Sequence, residues 1–433
     1  MNRSTSLLCL VPAISCFAAP LYAESTTDTL TELRDALVLG KVSASARYRY
    51  EHVDQSGFSK EANASTLRAA VGYETRSFHG LTGFMQFEGI FGVGPDNYQS
   101  TDNGKNQYPR VLDTPTVEVN QAFAQYVCPK DGWKTNVKFG RQEIKLANQR
   151  IIGDVAWRQD QQTFDAARVE TTPYAMDNRL VQLGYAYISR VNRIYPDSSV
   201  ANPFQGRLTM STHLAHAMVE QKGLGQLIGY GLLLDYDSAT VAAQSSQTMG
   251  IRVNGPYKLS DELSVIYSAE MATQSDYGNN PNSYRANYYA GEAGGVWREL
   301  SAWYGYTVME GSSAADRFTT PLATAHSFNG WADMFTVTPA SGLRAHSMSV
   351  NWTPPLIEGL SLIAQGYIFF AVDNSDHYGN EIDLRAEYRV LAFSPNLLIG
   401  LKFARFVGDD TASIGGGPAD SVNKAWAYSQ FSF

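Results

Sequence analysis

The sequence predicts an all-β protein: an antiparallel transmembrane β-barrel of about 18 strands, with short periplasmic turns and long extracellular loops. Three observations support this fold class. Charged residues make up only 18% of the 433 residues, while the chain carries 25 Tyr, 20 Phe and 7 Trp. Every uncharged stretch after the first residues is too short or too polar for a spanning helix, which needs about 20 apolar residues. Segments that alternate apolar and polar residues recur along the whole chain.

The N-terminal residues 1–23 are typical of a secretory signal peptide. Arg3 precedes an apolar stretch, and small residues lead to a cleavage site after Ala23. A lipoprotein-type cut before Cys16 is a weaker alternative. After cleavage at Ala23 only Cys128 remains, so we expect no internal disulfide bond. We interpret residues 24–41 as a short periplasmic segment, too short to plug a barrel, and residues 42–433 as a single barrel domain.

The alternation is clearest in the segment Val42–Glu51. The side chains on one face are Val42, Ala44, Ala46, Tyr48 and Tyr50, and those on the other are Ser43, Ser45, Arg47, Arg49 and Glu51. Residues 66–75 and 381–389 repeat the pattern. Tyrosine is frequent on the apolar face, as expected at a membrane interface but not required on the surface of a soluble sandwich. We therefore predict that the apolar faces contact lipid and the polar faces line a lumen.

The other strands follow from the same alternation and from the turn formers between them. The predicted strands are 42–51, 63–76, 80–93, 116–128, 133–146, 162–172, 179–190, 210–220, 225–236, 247–255, 261–273, 284–292, 295–308, 343–353, 358–371, 380–391, 397–407 and 423–433. Short joints, such as 77–79, 129–132 and Gly294, alternate with longer joints rich in Asp, Asn, Gly and Ser. The chain ends on Phe433, a feature typical of strands that the barrel-assembly machinery recognises, so we expect that machinery as a partner.

A barrel of 16 to 18 strands leaves an aqueous channel, so the polar faces predict a pore lining. The residues that alternation assigns to the lining are Arg47, Arg49, Arg68, Arg385, Arg389, Asp383 and Glu387. Assigned less clearly are Lys138, Arg252, Arg285 and Lys402. Rings of arginine favour anions by charge and by forked hydrogen bonds to carboxylates. The alternative to a selectivity role is that inward arginines and acids pair with each other and only balance each other's charges in a water-filled lumen. Many acids lie in the loops, so the net charge of -8 does not describe the pore.

Two stretches resemble a known family. The segments Phe139–Leu146, Asn148–Gly153 and Thr163–Arg168 form one match, and His326–Phe335 forms a second. Both resemble the alginate-export porin family, which implies an outer-membrane channel with an arginine-rich constriction that passes an anionic uronate polymer. The resemblance adds Arg141, Arg150 and Arg168 to the expected pore lining. The alternation with Val137 and Phe139 would instead put Arg141 on the lipid side unless a β-bulge intervenes, so its face stays open. Ala147 and Ala166 stand where the family pattern has glycine, so the solute stays open between alginate or related uronate saccharides and other small acids.

The long segment 309–342 has two possible positions. It either folds into the barrel and narrows the pore, which would bring Trp331 and Asp333 near the path, or it covers the rim. The sequence leaves both open.

Other classes of protein are disfavoured. The chain lacks G-x-S-x-G, H-E-x-x-H and P-loop motifs, and His213 and His216 would face opposite sides of a strand, so we predict neither an enzyme nor a metal site. An outer-membrane hydrolase is the minor alternative, and an adhesin or receptor would show negligible conductance. The chain contains no run of Lys and Arg that would indicate nucleic-acid binding. We expect no cofactor; the expected partners are outer-membrane lipid, lipopolysaccharide and an anionic saccharide or small-acid solute.

Overall fold

The computed structural model describes residues 26–130, 133–196, 205–392, 394, 396–409, 413–414, 417–418 and 420–433. The predicted signal peptide therefore lies outside the described residues. A helix, α1 (Thr26–Val38), comes first. The strands that follow are β1 (Lys41–Gln55), β2 (Ala62–Glu74), β3 (Leu81–Asn97), β4 (Thr116–Lys130), β5 (Trp133–Gln142), β6 (Thr163–Met176), β7 (Arg179–Asn192), β8 (Arg207–Gln221), β9 (Gly225–Leu234), β10 (Ser246–Lys258), β11 (Leu263–Asp276), β12 (Arg285–Trp297), β13 (Leu300–Met309), β14 (Leu343–Trp352), β15 (Leu360–Phe370), β16 (His377–Arg389), β17 (Leu397–Gly408), β18 (Ser413–Ile414), β19 (Gly417–Pro418) and β20 (Val422–Ser432).

Eighteen of these strands form one antiparallel sheet that closes on itself. Strands β1 to β17 pair in chain order, and β20 closes the barrel by pairing with both β17 and β1. The short strands β18 and β19 form a separate hairpin between β17 and β20. The predicted fold class is confirmed, and each of the predicted strands has its counterpart. Closure satisfies every ladder hydrogen bond without leaving an edge, which a bilayer requires.

Several predicted strand boundaries are wrong by up to five residues, including those at the end of β5 and at the β12–β13 joint. Strand β5 ends at Gln142, not at residue 146, because the chain turns away from the ladder: Leu146 N donates to Ile152 O, and Lys145 Nζ lies 2.6 Å from Asp154 Oδ2. The joint between β12 and β13 is Arg298–Glu299, and Gly294 instead pairs with Trp303 inside the ladder. The remaining short and long joints alternate as predicted.

The two faces of the wall differ in composition. In β1, Tyr48 is 40% exposed, whereas the alternate residues Arg49 and Glu51 are 1% exposed. The outward face is apolar around the barrel, as shown by the exposed side chains of Val71, Phe87, Phe139, Met249 and Ile382, and tryptophans at its short-turn end are Trp133, Trp297 and Trp352. Apolar residues outside and polar residues inside are the pattern of a membrane barrel.

Helix α1 packs against the end of the barrel that carries the short turns. Tyr73 Oη donates to Leu37 O at 2.7 Å, and Arg76 N donates to Ala36 O at 2.9 Å. The predicted N-terminal segment is thus largely helical and lies beside the β2–β3 turn. Among the described helices, none combines the length and the hydropathy that a membrane span would need.

Two long loops fold into the barrel from its other end. The first inner loop comprises residues 143–162, between β5 and β6, and the second inner loop comprises residues 310–342, between β13 and β14. The loops contact each other: Gly153 N donates to Leu322 O at 2.9 Å, and Thr324 Oγ1 donates to Gln149 Oε1 at 2.7 Å. Their apolar side chains form one buried cluster with inward residues of the wall, including Ile152, Phe318, Leu322, Trp331 and Phe335. The packed core therefore lies inside the barrel, towards the long-loop end.

Candidate functional site

The first inner loop enters the lumen through a tight turn. Ala147 has a φ of 48° and Gln149 a φ of 66°, both in the left-handed region that favours glycine. The glycine expected at position 147 from the family pattern therefore has a backbone reason. Gly153 is required for a different reason: a Cβ there would lie 2.3 Å from Thr324 Oγ1, so only glycine allows the two loops to approach so closely.

Asp333 anchors the second inner loop to the first loop and to the wall. Its carboxylate lies 2.7 Å from Arg158 Nη2, 2.9 Å from Lys424 Nζ and 2.7 Å from His326 Nδ1. Burial alone would raise the pKa of Asp333, but the interactions with His326, Lys424 and Arg158 outweigh burial and hold that pKa well below its ordinary value. Asp333 is therefore ionised and is shared by three basic groups.

His326 is neutral in this arrangement. Burial lowers its pKa to about 3, although Asp333 opposes the shift. A neutral imidazole has one donor and one acceptor, so Nδ1–H donates to Asp333 and Nε2 accepts from Lys402 Nζ at 2.6 Å. The imidazole also stacks on the ring of Trp157, with centroids 4.9 Å apart. His326 thus connects the second inner loop to β17 and to the first inner loop.

The predicted lining residues Arg47 and Arg49 lie inward but hold the first inner loop. Arg47 Nε donates to Gln159 Oε1 at 2.8 Å, and its Nη1 donates to Ala156 O at 2.9 Å. Arg49 forms an ion pair with Asp113 and donates to Trp157 O. Because Arg49 is 1% exposed, the expectation that it faces the open lumen is wrong for this structure.

Arg150 and Asp383 are also buried. The Arg150 guanidinium lies 3.9 Å from the ring centroid of Phe328, and its Nη2 donates to Asn329. Asp383 accepts a hydrogen bond from Trp331 N at 3.1 Å. Both predicted lining residues therefore fix the inner loops and are closed to a passing solute. Neither the family resemblance that suggested Arg150 nor the strand periodicity that suggested Asp383 could show that the inner loops bury these side chains.

Arg141 faces away from the lumen. Arg141 lies on the same face of β5 as Phe139, which is 70% exposed. Arg141 Nε donates at 3.0 Å to Oδ1 of Asp165, the residue directly opposite on β6. The register shows no bulge in β5 that would turn Arg141 inward. The expectation that Arg141 lines the pore is therefore wrong, and Lys138 and Gln142 occupy the inward positions instead.

Of the remaining predicted lining residues, Arg168, Arg385 and Arg389 face the open part of the lumen, whereas Arg68 also donates to Gln161 of the first inner loop at 3.0 Å. Arg68 pairs with Glu88 and Arg168 with Glu170, and Arg385 lies 3.4 Å from Glu387. The Arg385 side chain is 29% exposed, and Arg389 on the same face is exposed. Glu387 also accepts a hydrogen bond from Tyr428 Oη at 2.6 Å. Pairing of inward arginines with acids, the alternative left open by the sequence, is thus observed at three positions.

Lys138 differs from these paired arginines. It stands directly opposite Arg168 in the β5–β6 ladder, and its ammonium lies 4.0 Å from the ring centroid of Phe123. Among the residues that the structure describes, no carboxylate lies within salt-bridge distance of Lys138. Two like charges directly opposite each other destabilise a sheet.

Sequence reasoning missed two residues of the constriction. Arg158 lies in a loop without periodicity, so no local signal assigned it. Lys424 lies on the same inward face of β20 as the buried Trp426 and Tyr428, and this spacing of two was a usable signal. A closed 18-stranded barrel with an apolar outside, a polar interior and two inserted loops defines an outer-membrane channel of the porin type.

Comparisons with known proteins agree with this class. The family model described as "Alginate export" matches residues 39–304, which is more than half of the chain, and the protein belongs to the alginate-export family of outer-membrane proteins. Among solved structures, it is similar to OccK3 (OpdO) of Pseudomonas aeruginosa, with a TM-score of 0.67 and 14% identity over 95% of this chain and 99% of that chain. OccAB3 of Acinetobacter baumannii gives a TM-score of 0.66 and 12% identity, covering 91% of this chain and 99% of that one. No match was found among curated proteins.

Proposed function

We propose that the protein is a passive outer-membrane channel for anionic solutes, with short uronate saccharides as the first candidates, and that it performs no catalysis. The observation that carries the proposal is the Lys138–Arg168 pair, two cations directly opposite each other on the lumen wall. A carboxylate solute would relieve their repulsion, and Glu170 beside Arg168 would limit how tightly the solute is held. Binding that is favourable but weak is what conduction requires.

Lys138 is the cation on the open lumen wall that supports an anion preference. The cations on this wall include Lys138, Arg168, Arg385 and Arg389, and the acids on the same faces that are not fully buried include Glu74, Glu170, Glu220, Glu292 and Glu387. The proposed preference therefore rests on the position of Lys138, which has no carboxylate within salt-bridge distance in the described residues, and not on an excess of cations. The arginines can also form two parallel hydrogen bonds to a carboxylate, which a neutral sugar cannot accept in the same way.

Two features bear on the size of the solute. The family description supports a uronate as the chemical class, since uronates carry one carboxylate per sugar unit. The two inner loops occupy the long-loop half of the lumen, and their contacts with each other leave less width than an empty 18-stranded barrel would provide. We therefore infer that short uronate chains pass more readily than long ones.

Export of the precursor by residues 1–23, insertion by the barrel-assembly machinery and a periplasmic position for α1 belong to the same proposal. They are consistent with the outer-membrane barrel and need separate tests, such as N-terminal sequencing of the mature protein.

The selectivity test is the reversal potential of the purified protein in a planar bilayer with a salt gradient. A unit charge acts on an ion about 5 Å away with roughly 0.8 kcal/mol in water, so Lys138→Gln should lower the anion-to-cation permeability ratio by about two- to fourfold after screening. Arg298→Gln is the matched control, because Arg298 lies in a short turn and pairs with Glu262. Cation selectivity of the wild type at neutral pH would refute the proposal.

The solute test uses blockade of the same current. We expect di- and tetrauronates to reduce the current at lower concentration than neutral oligosaccharides of equal length, and Lys138→Gln to raise the blocking concentration of uronates alone. Equal blockade by both classes of sugar would show that the channel does not recognise the carboxylate.

A further inference from the structure

A group of basic residues lies on the outward face of the barrel near the long-loop end of β14. Arg344 and His346 lie on the same face of β14 as Met348, which is 61% exposed towards the lipid. Arg344 is the second residue of β14, immediately after the second inner loop, so it stands at the long-loop rim. Basic side chains are unfavourable on a lipid-facing wall unless they reach the headgroup region.

Arg344 has little internal compensation. It lies directly opposite Phe370 in the β14–β15 ladder, with its guanidinium carbon 5.1 Å from the ring centroid. Its Nε is buried without a hydrogen-bond partner. Within the described part of the chain, no carboxylate lies within salt-bridge distance of Arg344. The guanidinium is therefore fixed in place by an aromatic ring while part of its hydrogen-bonding capacity is unused.

Two histidines extend this site. His346 Nδ1 lies 2.6 Å from Tyr304 Oη, and the His346 ring packs on Tyr306 at 4.9 Å. His377, at the start of β16, lies 5.3 Å from the Phe370 ring and pairs with Asp409. We name Arg344, His346 and His377 the outer basic patch.

The level of this patch on the wall indicates what it contacts. Tyr304 and Tyr306 are 51% and 38% exposed on the lipid face, and tyrosines in that position mark the interface between acyl chains and headgroups. His346 is directly opposite Tyr306, and Arg344 lies two residues, or about 7 Å, further towards the rim. The guanidinium therefore lies at the level of the lipid headgroups of the outer leaflet.

A second tyrosine–histidine arrangement on the barrel provides an internal comparison. His213 is directly opposite Tyr187, and its Nδ1 lies 2.8 Å from Tyr185 Oη, as in the Tyr304, Tyr306 and His346 group. The arginine above it, Arg190, is 3.3 Å from Asp165. Its charge is therefore compensated within the protein, in contrast to that of Arg344.

We propose that the outer basic patch binds a phosphate group of the phosphorylated glycolipid of the outer leaflet, that is, of lipopolysaccharide. The Arg344 guanidinium supplies the fork that matches phosphate geometry, and His346, whose Nδ1 lies beside Tyr304, supplies a further donor through Nε2. Both ring nitrogens of His377 are engaged by Asp409 and Asn380, so His377 only borders the site. The aromatic rings of Phe370 and Tyr306 give the adjoining sugar and acyl groups an apolar surface. This site is independent of the channel function, because it lies on the opposite face of the wall.

The test measures the affinity of the full-length protein in detergent for bisphosphorylated lipid A by native mass spectrometry. We expect Arg344→Gln to weaken binding by about tenfold or more, as expected for loss of a bidentate charged pair, and Arg298→Gln to bind as the wild type does. Arg344→Lys keeps the charge but loses the fork, so it should bind with intermediate affinity. Arg344→Lys also provides the comparison if Arg344→Gln does not fold, as judged by heat-modifiable mobility.

Two further measurements separate the possible ligands. Lipid A without phosphates should bind at least about tenfold more weakly than the bisphosphorylated form. Equal binding of the two lipids, or wild-type binding by Arg344→Gln, would overturn the proposal. Displacement of lipid A by millimolar inorganic phosphate would also overturn it, because the site would then be one for a soluble anion.

Discussion

Asp333→Asn is the substitution that tests most directly how the second inner loop is held. Asparagine has nearly the same shape as aspartate, so the change removes charge without creating a cavity. In the wild type, the carboxylate is shared by Arg158, Lys424 and His326 at 2.7 to 2.9 Å, and Asp333 is 12% exposed. Removing the charge leaves Arg158 with Glu51 at 3.3 Å, and leaves Lys424 without its carboxylate partner.

The expected magnitude follows from this geometry. Breaking a buried ion pair by removing one partner costs about 3 to 5 kcal/mol, since the remaining charge stays buried. Applied to the equilibrium between the inward and displaced positions of the loop, 3 kcal/mol raises the displaced population by about 100-fold, because each 1.4 kcal/mol is a factor of ten. A loop displaced in about one molecule in a thousand would then be displaced in about one molecule in ten.

Single-channel recording measures this population. We expect Asp333→Asn to add brief openings of higher conductance to the wild-type trace, with a frequency that rises about 100-fold. The control is Asp316→Asn, which removes an acid from the same loop. Among the described contacts, the Asp316 carboxylate accepts a hydrogen bond only from Ser312 Oγ of that loop. Identical traces for Asp333→Asn and the wild type would show that the Asp333 ion pairs do not hold the loop.

Three further predictions concern the same constriction and the wall. Acidification should increase these openings between about pH 6.5 and pH 3. A displaced His326 gains a proton near its ordinary pKa, whereas the buried His326 gains one only near pH 3, so lower pH favours the displaced loop. His326→Gln should abolish that pH dependence in bilayer recordings. Gly153→Ala should destabilise the loop pair by about 1 to 3 kcal/mol, because the new Cβ meets Thr324 and Gln149, and limited proteolysis should cut the first inner loop faster. Arg141→Gln should leave ion selectivity unchanged in reversal-potential measurements, because Arg141 lies on the outer face with Asp165.

The strands could be predicted from the sequence because a membrane barrel imposes one periodicity on every strand. A residue that faces lipid must be apolar, its neighbour can be polar, and no helix or second layer interrupts the alternation. In β1, this alternation correctly separated Tyr48 from Arg49. In β5 the same alternation placed Arg141 beside Phe139 on the outside unless a bulge intervened, so the error came from preferring a family resemblance to the local pattern. No helix was predicted in residues 24–41, although the spacing of Leu30, Leu33 and Leu37 was a usable signal for α1.

The constriction could not be predicted in the same way. Arg49 and Asp383 were correctly assigned to the inward face, but whether an inward side chain meets water or a loop depends on contacts between residues more than 100 positions apart, such as Arg158 with Glu51. Long loops carry no repeating pattern that would fix their path. Sequence periodicity therefore identified the wall, and only the structure showed which part of the wall the loops cover.

The separation of covered and open wall assigns two different tasks to the charged interior. Near the long loops, Arg47 and Arg49 bind loop groups and are not available to solutes. Nearer the short turns, Arg168 and Arg385 stay partly exposed, although each contacts an acid. Substitutions in the first group should therefore change gating and conductance, whereas substitutions in the second group should change ion selectivity at unchanged conductance. A channel in which Arg49→Gln altered selectivity alone would contradict this division, because Arg49 could then act on ions only by facing the open lumen.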